Sequence, residues 1–154
     1  MRIGPRGLAL VKSFETLRLE AYDDATGRPV PPGGQVRGRL TIGYGHTGPD
    51  VRPGDHVTET EAEVLLRADL ATSEQAVGRL IQGPLSQAQF DALVSLVFNI
   101  GAAAFSTSTL CRRINAKDFT AAAGEFYRWR FDNGVELLGL ARRRVAEMQL
   151  FLAD

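Results

Sequence analysis

Phe14-Glu15-Thr16-Leu17-Arg18-Leu19-Glu20-Ala21-Tyr22-Asp23-Asp24, with Gly27 and then Thr41-Ile42-Gly43-Tyr44-Gly45-His46-Thr47 downstream, is the stretch on which the fold turns. Ahead of it, Leu8, Val11, Phe14 and Leu17 recur at three-residue steps, the spacing of one apolar stripe on a helix over about residues 5–19 that ends near Glu20. Behind Glu20 the chain changes character. Eight glycines between Gly27 and Gly54, together with most of the prolines, exclude long helices over 21–57 and favour short strands joined by turns. Pro29, Pro31, Pro32, Gly33 and Gly34 mark an exposed loop within that lobe.

Helical patterning resumes at Thr58. Thr58 with Glu61 reads as a capping box ahead of Val64, Leu65, Ala68 and Leu70, and Ser86 with Gln89 repeats the signature ahead of Phe90, Leu93, Val94, Val97 and Phe98. The second stripe is broad enough for a central, nearly buried helix. Further helices are expected over roughly 108–115, 118–130 and 138–152, punctuated by Gly101, Asn133-Gly134 and Gly139. The expected fold class is α+β and mostly helical, a single domain over 1–154. A small β-hairpin lobe at about 21–57 packs on a larger helical lobe of 1–20 and 58–154, with the site in the groove between them.

Composition bounds the function. At 154 residues, 44% hydrophobic and 23% charged, the chain can bury a core without staples, and its one cysteine, Cys111, forms no internal disulfide. Eighteen basic and eighteen acidic residues cancel, so no nucleic-acid partner is expected. The apolar run Gly7–Val11 is too short for a signal-peptide core or a span, so neither export nor membrane insertion is expected.

Cleaving a glycosidic bond takes a carboxylic acid that protonates the leaving oxygen and a second carboxylate that activates water from the opposite face. Glu15 near the end of a helix and Asp24 nine residues later, where the glycine-rich lobe opens, are suited to that pairing. Phe14 and Leu17 flank Glu15 with the apolar setting that favours a protonated acid. Asp23 competes with Asp24, and spacing alone separates them.

The quoted stretch resembles the phage lysozyme family (glycoside hydrolase family 24, the phage endolysins), whose pattern is a Glu, eight residues, an Asp and a downstream Thr inside T-I-G-Y-G-H. Pro84–Leu93, Phe98-Asn99-Ile100-Gly101, Phe105–Leu110 and Gly139–Glu147 are similar to later family segments, so the likeness covers about residues 6–152. The resemblance implies hydrolysis of the β-1,4 bond between N-acetylmuramic acid and N-acetylglucosamine in bacterial peptidoglycan. It assigns the acid to Glu15, water positioning to Asp24, and the hydroxyl that shares this water to Thr41. An inverting outcome follows if room for that water separates the carboxyls. Asn99, Tyr22 and His46 are candidate substrate-binding residues, although a hydrogen-bonding structural role suits His46 better, and a helix-terminal Asn is the plain alternative for Asn99. No metal and no cofactor are implied. The resemblance further implies a monomer held in the host cytoplasm, released by a phage holin and acting on peptidoglycan in the periplasm. A lytic transglycosylase and an inactive peptidoglycan-binding module are the alternatives.

Arg28–Leu40 exceeds the family's shortest connection between the Gly and the Thr, and is expected to lengthen a hairpin loop that contributes little core. Arg37 and Arg39 are candidates there for glycan or peptide carboxylates, against a plain solvated surface. One of Arg142, Arg143 and Arg144 is expected to reach Glu15 or Asp24 while the others face solvent. Tyr127 and Trp129 are expected in the core beside Phe126, and Cys111 as a buried small hydrophobe.

Overall fold

A computed structural model describes residues 1–153. The chain divides into two compact units, Lys12–Asp69 and Met1–Val11 with Leu70–Asp154, so both boundaries fall inside helices rather than at the edges of a 21–57 lobe. The chain is α+β and mostly helical, and it contains a small antiparallel sheet.

Helix α1 spans Pro5–Phe14, five residues shorter than its apolar repeat suggests. Leu17 and Arg18 onward are diverted because β1 (Arg18–Asp23) finds a ladder partner in β2 (Leu40–Gly43), and a tertiary strand pairing outweighs a local helical repeat. The register places Tyr22 opposite Thr41 and Asp23 opposite Leu40, with an irregularity between Arg18 and Tyr22. Strand β3 (His46–Thr47) completes the three-stranded sheet, pairing Thr41 with Thr47. Ala21, Ile42 and Val51 form the buried centre of this unit, and Leu40, Val57 and Leu65 pack around it.

The loop between β1 and β2 is integral to that unit, contrary to the expectation of a segment with little core. Val30 is buried, its N–H donates to the Ala21 carbonyl at 3.0 Å, and its own carbonyl accepts from Gly54 N–H at 2.7 Å. Asp23 closes the other end of the loop. Its buried carboxylate accepts from Arg37 N–H at 2.6 Å and from the N–H groups of Ala25 and Gly38 at 2.9 Å each.

Helix α2 (Glu59–Leu80) starts at the expected capping box, with reciprocal bonds between Thr58 and Glu61 at 3.1 and 2.8 Å. Helix α3 (Gln87–Ile100) likewise carries the Ser86–Gln89 box and is buried over Phe90–Val97. Gly4 and Gly7 N–H groups donate at 2.8 and 3.0 Å to the carboxylate of Asp91, a buried side chain that satisfies donors at the start of α1. Helices α4 (Ala102–Ser106), α5 (Thr109–Asn115) and α6 (Phe119–Glu125) follow, and a 3₁₀ turn over Phe126–Trp129 takes the end of the expected 118–130 helix.

Asn133 and Gly134, at φ 48° and 77°, join the two-residue strands β4 (Phe131–Asp132) and β5 (Val135–Glu136) in a hairpin; an Asn-Gly pair is well suited to such a turn. Helix α7 (Leu138–Phe151) packs on α3, and Phe151 meets Phe126 at 5.3 Å and Phe119 at 6.3 Å between ring centroids. Cys111 is buried as expected. Tyr127 is a correction: it lies exposed beneath the Arg130 guanidinium, 4.2 Å from its ring centre, and Trp129 is only partly covered.

Candidate active site

Glu15, Asp24, Thr41, Tyr22 and His46 all belong to the Lys12–Asp69 unit. Glu15 is the first residue beyond α1 and is half-buried. Across from it stands Gly45, at φ 87° in the turn between β2 and β3. A Cβ built on Gly45 would lie 3.9 Å from Glu15 Oε2, so the turn brings bare backbone up to the acid.

Asp24 and Asp23 are separated by burial and by what their carboxylates hold. Asp23 is consumed by the loop, and those bonds hold its carboxyl below the ordinary range: the Arg37 N–H contributes most, partly offset by burial, with Ala25 and Gly38 adding to it. Asp24 is exposed. Its N–H donates to the Arg39 carbonyl at 3.0 Å and its Oδ1 accepts from the Arg39 N–H at 2.6 Å; Oδ2 accepts no hydrogen bond among the described residues. The chain comes close here, since a Cβ at Gly38 would run into Asp24 Oδ1.

Thr41 is buried in β2 and its hydroxyl donates to the same Arg39 carbonyl at 3.2 Å. With the proton so directed, the hydroxyl oxygen retains lone-pair capacity to accept from a water. Tyr22, opposite Thr41, is half-buried with the Arg18 guanidinium stacked 4.1 Å from its ring centre.

His46 is not a free ligand. Its Nδ1 lies 2.9 and 3.0 Å from the two oxygens of Asp69, and its Nε2 lies 2.8 Å from Asp50. Burial alone would lower the imidazole pKa, but the two hydrogen bonds and the charges of Asp69 and Asp50 outweigh it and raise it above the ordinary value. Both ring nitrogens are therefore committed to protein carboxylates, the hydrogen-bonding structural role. The i, i+4 spacing to Asp50 was visible in the sequence; Asp69 was not, because it arrives from α2.

Asn99 lies in the other unit, exposed near the end of α3. It lines a cavity of about 420 Å³ with Trp129, Phe131, Asp132, Leu137 and Leu140, an aromatic and amide-bearing surface of the kind that takes a sugar. Trp129 is thus a cavity wall.

The arginine run also departs from expectation, because only Arg142 faces solvent. Arg143 Nε lies 3.2 Å from Glu147 Oε1 and Arg144 Nε 2.8 Å from Glu147 Oε2, all three side chains being buried, and Ser95 Oγ donates to the same carboxylate at 2.6 Å. Among the described residues, no group of His, Cys, Asp and Glu is arranged to hold a metal ion.

The family model described as phage lysozyme matches residues 12–147. An endolysin of Acyrthosiphon pisum secondary endosymbiont phage 1 is 44% identical, the match covering 98% of each chain. Among solved structures, the muramidase domain of SpmX from Asticaccaulis excentricus superposes with a TM-score of 0.83 at 43% identity, over 99% of both chains. A mutant of P22 lysozyme superposes at 0.86 with 39% identity, again over 99% of both. The chain belongs to the phage lysozyme family.

Proposed function

We propose that this chain is an endolysin-type muramidase that hydrolyses the β-1,4 bond between N-acetylmuramic acid and N-acetylglucosamine, with Glu15, Asp24 and Thr41 carrying the chemistry. The observation that supports it most is the convergence of Asp24 and Thr41 on the Arg39 peptide, which orients a carboxylate just beyond β1 and a hydroxyl in β2. A water donating one proton to Asp24 Oδ2 and the other to Thr41 Oγ1 keeps a lone pair for the anomeric carbon. As that oxygen bonds to C1, Glu15 gives its proton to the leaving glycosidic oxygen and Asp24 takes one from the water. Both groups reset by exchange with solvent, and the anomeric centre inverts.

Asn99 and Tyr22 each contact glycan in this reading, Asn99 through the amide-and-aromatic cavity it shares with Trp129 and Phe131. His46 supports the turn that carries Gly45 rather than touching sugar. The substrate is the glycan strand of bacterial peptidoglycan, and catalysis of this kind requires no cofactor. We place the protein as a monomer in the host cytoplasm until a holin opens the route to the periplasm. Among the described residues, no helix is long and apolar enough to cross a membrane.

Glu15→Gln keeps the side chain's size and removes the transferable proton, so it should abolish lysis of purified peptidoglycan without altering the circular dichroism spectrum. Near-normal lysis by the folded variant would overturn the assignment. Product masses separate the neighbouring chemistry: hydrolysis leaves hydrated reducing ends, whereas a transglycosylase leaves anhydro ends.

A further inference from the structure

The loop that carries Arg39 to Asp24 also encloses a cavity of about 290 Å³, lined among others by Thr26, Arg28, Val30, Gln35 and Arg37, with Asp23 at its base. Residues 25–40 contain three arginines, Arg28, Arg37 and Arg39, and no acidic residue. None of the three makes an ion pair among the described residues. Asp23 offsets one of these charges while its two oxygens accept three backbone N–H groups, so a net positive charge remains in the loop for a ligand. The walls are stiff. Pro29 and Pro31 line the cavity, the Gly34 N–H closes a turn on the Pro31 carbonyl at 2.8 Å, and Val30 is tied to Ala21 and Gly54.

We infer that this cavity is a subsite for a carboxylate of the peptide stem borne by N-acetylmuramic acid, with Arg28 and Arg37 as its specificity-determining residues. The inference rests on the muramidase reading above. Planar guanidiniums match a carboxylate's two oxygens, Gln35 and Thr26 offer polar groups to a peptide bond, and Val30 with Pro31 accepts a methyl side chain of alanine size. Location favours a substrate group that travels with the reacting sugar: the loop's far end, Arg39, is bonded directly to Asp24. The subsite therefore discriminates peptide-bearing from bare glycan without entering the bond-breaking step.

Calorimetry tests this with the Arg28→Gln/Arg37→Gln protein, whose loop keeps its clamp because Asp23 binds the Arg37 N–H and not its side chain. Three probes are titrated: the disaccharide–tetrapeptide, the same muropeptide with its carboxylates amidated, and the peptide-free disaccharide. Wild type should bind the first roughly tenfold more tightly than the other two, and the double variant should lose that margin while leaving the peptide-free Kd unchanged. Equal affinity of wild type for all three, or an equal loss on all three in the variant, overturns the subsite. Failure of wild type to cleave peptidoglycan overturns the muramidase reading instead, and the binding series still decides the subsite.

Discussion

Asp24 and Arg39 are joined twice through one peptide pair, the Asp24 N–H donating to the Arg39 carbonyl at 3.0 Å and the Arg39 N–H donating to Asp24 Oδ1 at 2.6 Å. Because Thr41 Oγ1 donates to that same carbonyl, residue 39 sets the position of two side chains without using its own. The consequence is that Arg39 tolerates change where Asp24 does not. Arg39→Ala should keep activity within a fewfold of wild type, whereas Arg39→Pro, which lacks the N–H, should lose at least tenfold in kcat. Equal activity of the two variants would show that the bond to Asp24 Oδ1 is dispensable.

Thr41 is buried in β2, where valine fits the strand equally well. Thr41→Val removes the hydroxyl and leaves the Arg39 carbonyl with its bond from Asp24. Turnover on purified peptidoglycan should fall on the order of 10²-fold with Tm nearly unchanged. Unaltered turnover would leave a mechanism of two carboxylates alone.

Asp23 and Asp24 should respond oppositely to the same substitution. Asp24→Asn should lose activity and stay folded, while Asp23→Asn should lower Tm by several degrees, since three N–H groups lose an ionised acceptor. The folded pKa of Asp23 lies below its ordinary 3.8, so its contribution to stability is present above that value and fades as pH falls through the folded pKa. Melting curves of wild type and Asp23→Asn should therefore converge in strong acid.

His46 gives the opposite pH dependence. Its pKa is raised above 6.5, so its pairing with Asp50 and Asp69 stabilises the folded chain fully below 6.5 and less as pH rises through the folded value. The Tm gap between wild type and Asp69→Asn should be widest near pH 5 to 6 and shrink above neutrality. An NMR titration should show the His46 pKa falling in the variant.

Glu147 is buried with Arg143 and Arg144 against it. Glu147→Ala strips the carboxylate from two buried guanidiniums and should cost about 3–5 kcal/mol in denaturant unfolding. A loss below 1 kcal/mol would mean that water replaces the carboxylate there.

What the sequence determined by itself was local and periodic. Both capping boxes hold because a Ser or Thr and its partner three residues on make their bonds within one turn, and the broad stripe from Phe90 to Val97 is buried because every position on a nearly apolar helix must find a core. The spacing of Glu15, Asp24 and Thr41 was legible as a motif. Tertiary structure decided what pairing across distance decides. Helix α1 stops at Phe14 because residues 18–23 gain a strand partner in residues 40–43. Asp23 rather than Asp24 is consumed because the loop folds Arg37 and Gly38 back onto it. Arg143 and Arg144 are buried because Glu147 and Ser95 meet them inside the helical unit. Composition cannot distinguish a charged run that faces water from one that finds a carboxylate, since the energy lies in the partner and only the folded chain brings the partner within reach.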